Sequence, residues 1–263
     1  MRQRKPKNLQ EKLAAHGDYL VARPEEARGR WRSLFRSADG AGLGACGAGG
    51  LGGDGGAASP SAGAGCGETG GHVFSSRKLF LEIGSGKGAF LTRKAQNDPE
   101  SLYLGFEGRE AVVLRAAEKA GAAGLKNILF SNLYVRDLAP VFAPGEADGL
   151  FLNFSDPWPK ARHSGRRLTC GQYLAMYARL LKSGSRIEFK TDSNNFFRFS
   201  KEVLEESPEF EIVEAIEGVY DACDANSLIL SGLALSEYEE RFIRWNRRIY
   251  FLSAAKIGNS FDI

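Results

Sequence analysis

Leu81-Glu82-Ile83-Gly84-Ser85-Gly86-Lys87-Gly88 is the stretch that decides the fold. An apolar run of strand length, Lys78–Ile83, stops at a glycine-rich turn, and a helix-like stretch, Ala89–Asn97, starts where the turn ends. Glycines at such a junction permit a tight reversal and let the backbone approach a ligand closely. Glu82, immediately before them, repels a pyrophosphate and attracts a cation. This points away from a dinucleotide and toward S-adenosylmethionine, whose sulfonium and amino groups are positive. Lys87 is not a phosphate-loop lysine, because GxxxxGK[ST] is absent. Glu107 closes the next strand-like run, 19 residues after Gly88, where an acid commonly accepts hydrogen bonds from ribose hydroxyls.

Outward from this motif the chain alternates strand and helix. Leu102–Glu107 reads as a strand and Arg109–Ala123 as a helix rich in Ala, Arg and Glu. Asn127–Ser131, Gly149–Asn153 and Arg186–Lys190 are further runs of strand length, with helices predicted over Gly171–Leu181 and Ser193–Ser207. Glu211–Ile216 and Arg248–Ala254 read as late strands with no helix between them, which suggests an antiparallel pair at the edge. The pattern predicts an α/β fold, a mostly parallel doubly wound sheet with an antiparallel edge strand.

Composition sets the frame. The 263 residues include 43% hydrophobic and 25% charged side chains, which is globular usage and excludes wholesale disorder. No run approaches the roughly 18–20 apolar residues of a membrane span, and the basic, polar start MRQRKPKNLQEK is not a secretory signal. Residues 1–36 hold ten Lys/Arg against four Asp/Glu and are read as a basic N-terminal arm. Residues 37–72 are read as a Gly/Ala-rich disordered insertion, since 37–71 contain fifteen glycines and eight alanines and no Lys, Arg or aromatic residue. Residues 73–263 remain as one catalytic domain. Cys46, Cys66, Cys170 and Cys223 lack CxxC spacing, so neither a metal site nor a disulfide framework is expected and a reducing, cytoplasmic setting is the default.

The chemistry gathers around Asn153-Phe154-Ser155-Asp156-Pro157-Trp158-Pro159-Lys160, at the carboxyl end of a predicted central strand. Two prolines hold this segment as a stiff loop, able to aim Asp156 at a bound base while Trp158 supports it. Lys160, Arg162, His163, Arg166 and Arg167 follow, with no acid anywhere in 157–187. Positive charge at the mouth of a pocket suits a nucleic acid substrate.

In this order, LEIGSGKG, GFE, NFSDPWPKARHSGRRL, EFKTD and SEYEERF resemble the bacterial tRNA (guanine-N7)-methyltransferase family, and RQRKP with GRWRSLF resembles its leader. The resemblance covers essentially the whole chain outside the Gly/Ala-rich stretch. It implies a Rossmann-like class I methyltransferase with S-adenosyl-L-methionine as donor. The implied acceptor is a guanine in the tRNA variable loop (position 46), giving 7-methylguanosine. No membrane and no obligatory protein partner are expected. Residue by residue it places the donor on Glu82, Gly84, Gly86, Gly88, Glu107 and Asp156, with Asp156 also the active-site acid. Substrate contacts fall on Lys160, Asp192, Ser236, Glu237, Tyr238 and Glu239, and RNA contacts on Arg162, His163, Arg166 and Arg167. Near the adenine the family usually has Asp-Ala where this chain reads SNLYV, so the contact falls to Asn132 or Tyr134. Ser236 replaces the usual Thr and keeps the hydroxyl.

Guanine N7 carries an in-plane lone pair, so no base need deprotonate it. Asp156 is therefore expected to orient the acceptor and stabilise the positive charge that develops, and Asp192 to accept from the guanine N1–H and N2–H₂ edge. A DNA exocyclic-amine methyltransferase and a non-catalytic RNA-binding module are the rival readings. The Asp-Pro-Trp-Pro order opposes the first, and intact Glu82, glycines, Asp156 and Asp192 oppose the second.

Overall fold

Seven strands form one sheet in the computed structural model, which describes residues 6–35, 76–221, 223–224 and 233–258. They are β1 (Leu79–Ile83), β2 (Leu102–Phe106), β3 (Ile128–Ser131), β4 (Ala147–Asn153), β5 (Leu181–Thr191), β6 (Phe210–Glu217) and β7 (Tyr250–Lys256). Their spatial order is β3-β2-β1-β4-β5-β7-β6. The first five are parallel, and β7 runs antiparallel to both neighbours, β5 and β6. The predicted antiparallel pair is therefore present, with the reversed strand wedged between β5 and the outermost strand.

The α-helices are α1 (Leu9–Ala15), α2 (Ala89–Asn97), α3 (Glu110–Ala122), α4 (Gly171–Leu180), α5 (Asn194–Glu205) and α6 (Glu237–Arg244). The last is a correction: a helix does stand between the two late strands. Its sequence, EYEERFIR, buries only Glu239 and Ile243, so no run of buried aliphatic residues marks it. Ser236 and Glu239 instead form a reciprocal capping box that starts it.

Every residue of β2 and β3 is buried, the signature of a parallel strand covered on both faces. Leu79, Leu81, Leu104, Leu150, Leu152, Ile187 and Phe189 join the main core, while Phe90, Leu91, Val113, Ala116 and Phe130 pack a second cluster.

The basic N-terminal segment is laid against this sheet. Val21 N donates to Phe130 O at 2.8 Å and Leu20 bridges Phe130 in parallel, which blunts the free edge of β3. Trp31 is fully buried, stacks on Phe142 at 5.3 Å between ring centroids, and donates its indole N–H to Val141 O at 2.8 Å. Glu146 accepts from the backbone N–H groups of Gly29, Trp31 and Ala143 and so anchors the segment. Residues 1–5 and the Gly/Ala-rich stretch, with Cys46 and Cys66, lie outside the described residues. Among the described residues, no helix is long and apolar enough to cross a membrane.

Candidate active site

Strand order reverses between β1 and β4, and ligands of open α/β sheets bind at the carboxyl edge beside such a switch point. Four predicted acids leave that edge from neighbouring strands. Glu82 is in β1, Glu107 directly follows β2, and Asp156 and Asp192 follow β4 and β5, which end at Asn153 and Thr191.

The glycine turn serves two purposes. Gly84 and Gly86 sit at φ 80° and 56°, and a Cβ on either would meet nothing within 4 Å. The backbone is thus shaped by glycine while the space above it stays open. Gly88 is different. A Cβ there would lie 2.8 Å from Ala116 Cβ and 2.9 Å from the Phe130 ring, so this glycine lets α2 start hard against α3 and β3.

Glu82 is buried. Its Oε1 accepts from Asn153 Nδ2 at 2.9 Å, and its Oε2 has no hydrogen-bond partner. Burial raises its pKa from 4.5 to about 8. The Asn153 hydrogen bond opposes the rise, and the charges of Glu237, Glu239 and Glu107 add to it. A buried carboxyl with an orphaned oxygen, next in sequence to an open glycine turn, fits a cationic ligand that would supply the missing counter-charge. Asn153 was not singled out from the sequence, although a polar residue closing the apolar run GLFL is a readable signal.

Glu107 Oε1 accepts from Arg109 through both the backbone N–H at 3.0 Å and Nε at 3.2 Å. Asn132 donates from Nδ2 to Glu107 O at 3.0 Å, and the exposed Tyr134 ring lies over Gly108, where a Cβ would come within 2.9 Å of it. Both candidates for the adenine contact therefore flank Glu107.

Asp156 is exposed and has no hydrogen bond or ion pair among the described residues. Its loop is strained: Phe154 and Trp158 hold φ of 51° and 41° without being glycine. Two groups hold it there. Phe154 N donates to Lys190 O at 2.9 Å, and the buried Arg167 donates from Nε to Pro157 O at 3.0 Å and from a terminal nitrogen to Trp158 O at 3.1 Å. The Arg167 guanidinium also lies 4.2 Å from the Phe199 ring centroid. This corrects the expected RNA contact at Arg167, whose fork is spent on the loop from inside. Lys160, Arg162 and Arg166 remain exposed; Arg166 lies over the Trp158 ring at 4.9 Å and His163 meets its edge at 5.7 Å.

Replacing Arg167 with alanine is expected to destabilise the fold by about 2–3 kcal/mol, the usual range for lost hydrogen bonds to a charged group, and to lower turnover. The salt dependence of tRNA binding should keep its slope. A slope shallower by about 1 would instead mark a lost phosphate contact.

The remaining predicted substrate residues divide. Ser236 and Glu239 are buried and engaged internally. Ser236 Oγ caps α6, and Glu239 Oε1 accepts from Lys190 Nζ and from the Tyr220 hydroxyl, both at 2.6 Å. Burial, then the charge of Glu239, pushes the Tyr220 phenol up. Ser236 and Glu239, expected to touch substrate, are thus engaged within a network of α6, Lys190 of the EFKTD motif and Tyr220, the last of which no motif announces. Glu237 pairs with Lys119 Nζ at 2.6 Å, and Tyr238 is exposed. Asp192 Oδ2 accepts from Arg247 at 2.8 Å, and Ser193, not Asp192, caps α5. No group of three or more His, Cys, Asp or Glu among the described residues has a metal-binding arrangement.

Comparison with known proteins gives a consistent picture. The family described as "Putative methyltransferase" matches residues 76–252. A tRNA (guanine-N(7)-)-methyltransferase of Geobacillus kaustophilus is 33% identical over 97% of this chain and 97% of its own length. One from Halalkalibacterium halodurans is 40% identical over 65% of this chain and 75% of its own length. A solved structure of an antibiotic-related methyltransferase superposes with a TM-score of 0.50 at 17% identity, covering 70% of this chain and 91% of that one, which supports the fold alone.

Proposed function

Since the chain belongs to the tRNA (guanine-N7)-methyltransferase family, we propose that it methylates N7 of a guanine in the tRNA variable loop, position 46, to give 7-methylguanosine. The single observation behind this reading is Glu82: a buried carboxyl with an unpartnered oxygen near the end of β1, two residues before the open turn at Gly84 and Gly86. A neutral or anionic cofactor would leave the carboxyl protonated and its oxygen without a partner; a cationic methyl donor lets it ionise and answers the charge.

S-adenosylmethionine, when bound, supplies a methyl group activated by its sulfonium. Glu82 would hold its cationic end, Glu107 its ribose hydroxyls, and Asn132 or Tyr134 the edge of its adenine. The rest is work for the chain. Asp156, on a loop fixed by Arg167 and Lys190, faces the acceptor base with both carboxylate oxygens unspent. The purine gains positive charge as N7 forms its new bond, and a fixed carboxylate nearby stabilises that charge as it grows. No side chain needs to remove a proton, because the attacking lone pair is already free. Asp192 keeps Oδ1 without a hydrogen bond among the described residues while Arg247 holds Oδ2, which leaves it able to accept from the guanine N1–H and N2–H₂ edge. Lys160, Arg162 and Arg166 bring positive charge to the rim for the phosphates, with His163 beside them as a further polar contact.

The test is transfer of a labelled methyl group to unmodified tRNA from a strain lacking this activity, followed by mapping of the labelled nucleotide. Label confined to the variable-loop guanine supports the reading. Label on an exocyclic amine or on another nucleotide contradicts it.

A further inference from the structure

Four arginines fall within eight residues at the end of α6 and just beyond it: Arg241, Arg244, Arg247 and Arg248. Apart from Arg247, which holds Asp192, the methyl-transfer chemistry does not use this run. The acids of the same helix point inward and are paired, Glu237 with Lys119, Glu239 with Lys190 and Glu240 with Arg93. Arg247 and Arg248 are held by Asp192 and Asp221. Arg241 and Arg244 are exposed and have no carboxylate partner among the described residues.

Aromatic rings are interleaved with this charge. Tyr238, Arg241, Phe242 and Trp245 follow the i, i+3, i+4, i+7 spacing of a single helical face. The Arg241 guanidinium lies 5.6 Å from the ring centroids of both Tyr238 and Trp245. Trp245 is 61% exposed and Tyr238 50%, an unusual outlay of aromatic surface on one helix. The stripe is continuous with the catalytic loop, because the Phe242 ring packs on Phe154 at 5.4 Å. An apolar partner would meet unpaired guanidinium groups here, whereas a polyanion bearing flat bases satisfies charge and ring together.

We propose that Trp245, with Arg241 beside it, is a stacking platform for an unpaired tRNA base near the target guanine, set apart from the basic run at 160–167. The proposal rests on the tRNA reading above and names a surface which that reading does not need.

The experiment uses the full chain and intact tRNA with Trp245→Ala, Trp245→Phe and Arg244→Ala. Base stacking on an aromatic side chain contributes enough that its loss weakens binding roughly 5- to 150-fold. Trp245→Ala should therefore raise the KM for tRNA about tenfold or more, with kcat at saturating tRNA and donor affinity unchanged. Trp245→Phe should retain most of the wild-type KM. The log-log salt slope should be unaltered by Trp245→Ala and shallower by about 1 in Arg244→Ala. A wild-type KM in Trp245→Ala overturns the proposal, as does a KM effect accompanied by loss of a wild-type dimer in light scattering, which would make the stripe a contact between copies. Failure of the functional reading is distinguishable, since the wild-type protein would then not label tRNA at all.

Discussion

Asp156→Asn should lower turnover at saturating donor by about two to three orders of magnitude, the usual effect of removing one preorganised group from a developing charge. The size follows from what Asp156 does not do. It makes no hydrogen bond or ion pair among the described residues, so the substitution leaves packing intact and stability should move by no more than about 0.5 kcal/mol. Its loop stays in place because Arg167 and Lys190 grip backbone carbonyl and amide groups, not the Asp156 side chain. Asparagine keeps the volume and loses the charge. Single-turnover rates with prebound donor isolate this effect from binding. A rate within a factor of a few of wild type would remove Asp156 from charge stabilisation.

Glu82→Gln should weaken donor binding about a hundredfold or more, the scale of stripping one partner from a buried ion pair. It should also make the ligand-free protein more stable. The ordinary carboxyl value is 4.5 and the folded value about 8, so between those pH values the folded state binds more protons than the unfolded one. Stability accordingly falls as pH rises from 4.5 through about 8. Glutamine has no such proton and can still accept from Asn153. The variant should match wild type below pH 4.5 and gain roughly 3 kcal/mol or slightly more near neutrality, at about 1.4 kcal/mol per pH unit. The same proton appears in binding. Wild-type donor affinity should rise by up to about tenfold per unit between pH 6 and 8, with close to one proton released at pH 7. Calorimetry in two buffers of different ionisation enthalpy reads that proton directly; the variant should release none. Equal proton release by both proteins would show that Glu82 is not the titrating group.

These two sites were legible in the sequence for different reasons. The Glu82–Gly88 segment could be read from local rules alone, since strand, turn and helix each leave their own residue pattern. Asp156 drew its meaning from the two prolines that follow it, Pro157 and Pro159, and the basic run behind them. Long-range partnerships were not readable. Arg167 looked like the last member of a surface basic run, yet its guanidinium turns inward to carbonyls nine and ten residues earlier. Asn153 and Glu82 are 71 residues apart and meet only because β4 lies beside β1. Helix α6 was missed because it is dominated by charged residues and starts on a capping box, with few buried aliphatic residues to announce it. The S-x-x-E spacing of Ser236 and Glu239 was present to be read as a helix start. Trp31 was likewise hidden: a basic segment gave no sign that its aromatic residue is fully buried in the core of the sheet domain.

Substitution of the acceptor atom itself tests the central claim most directly. A tRNA carrying 7-deazaguanosine at the variable-loop guanine keeps the base's shape and its N1–H and N2–H₂ edge, and replaces only N7 with a carbon. This tRNA is expected to bind with unchanged affinity, to inhibit methylation of normal tRNA competitively, and to accept no label. Methyl transfer to the deaza tRNA at the normal rate would contradict the claim, because the acceptor would then be some atom other than guanine N7.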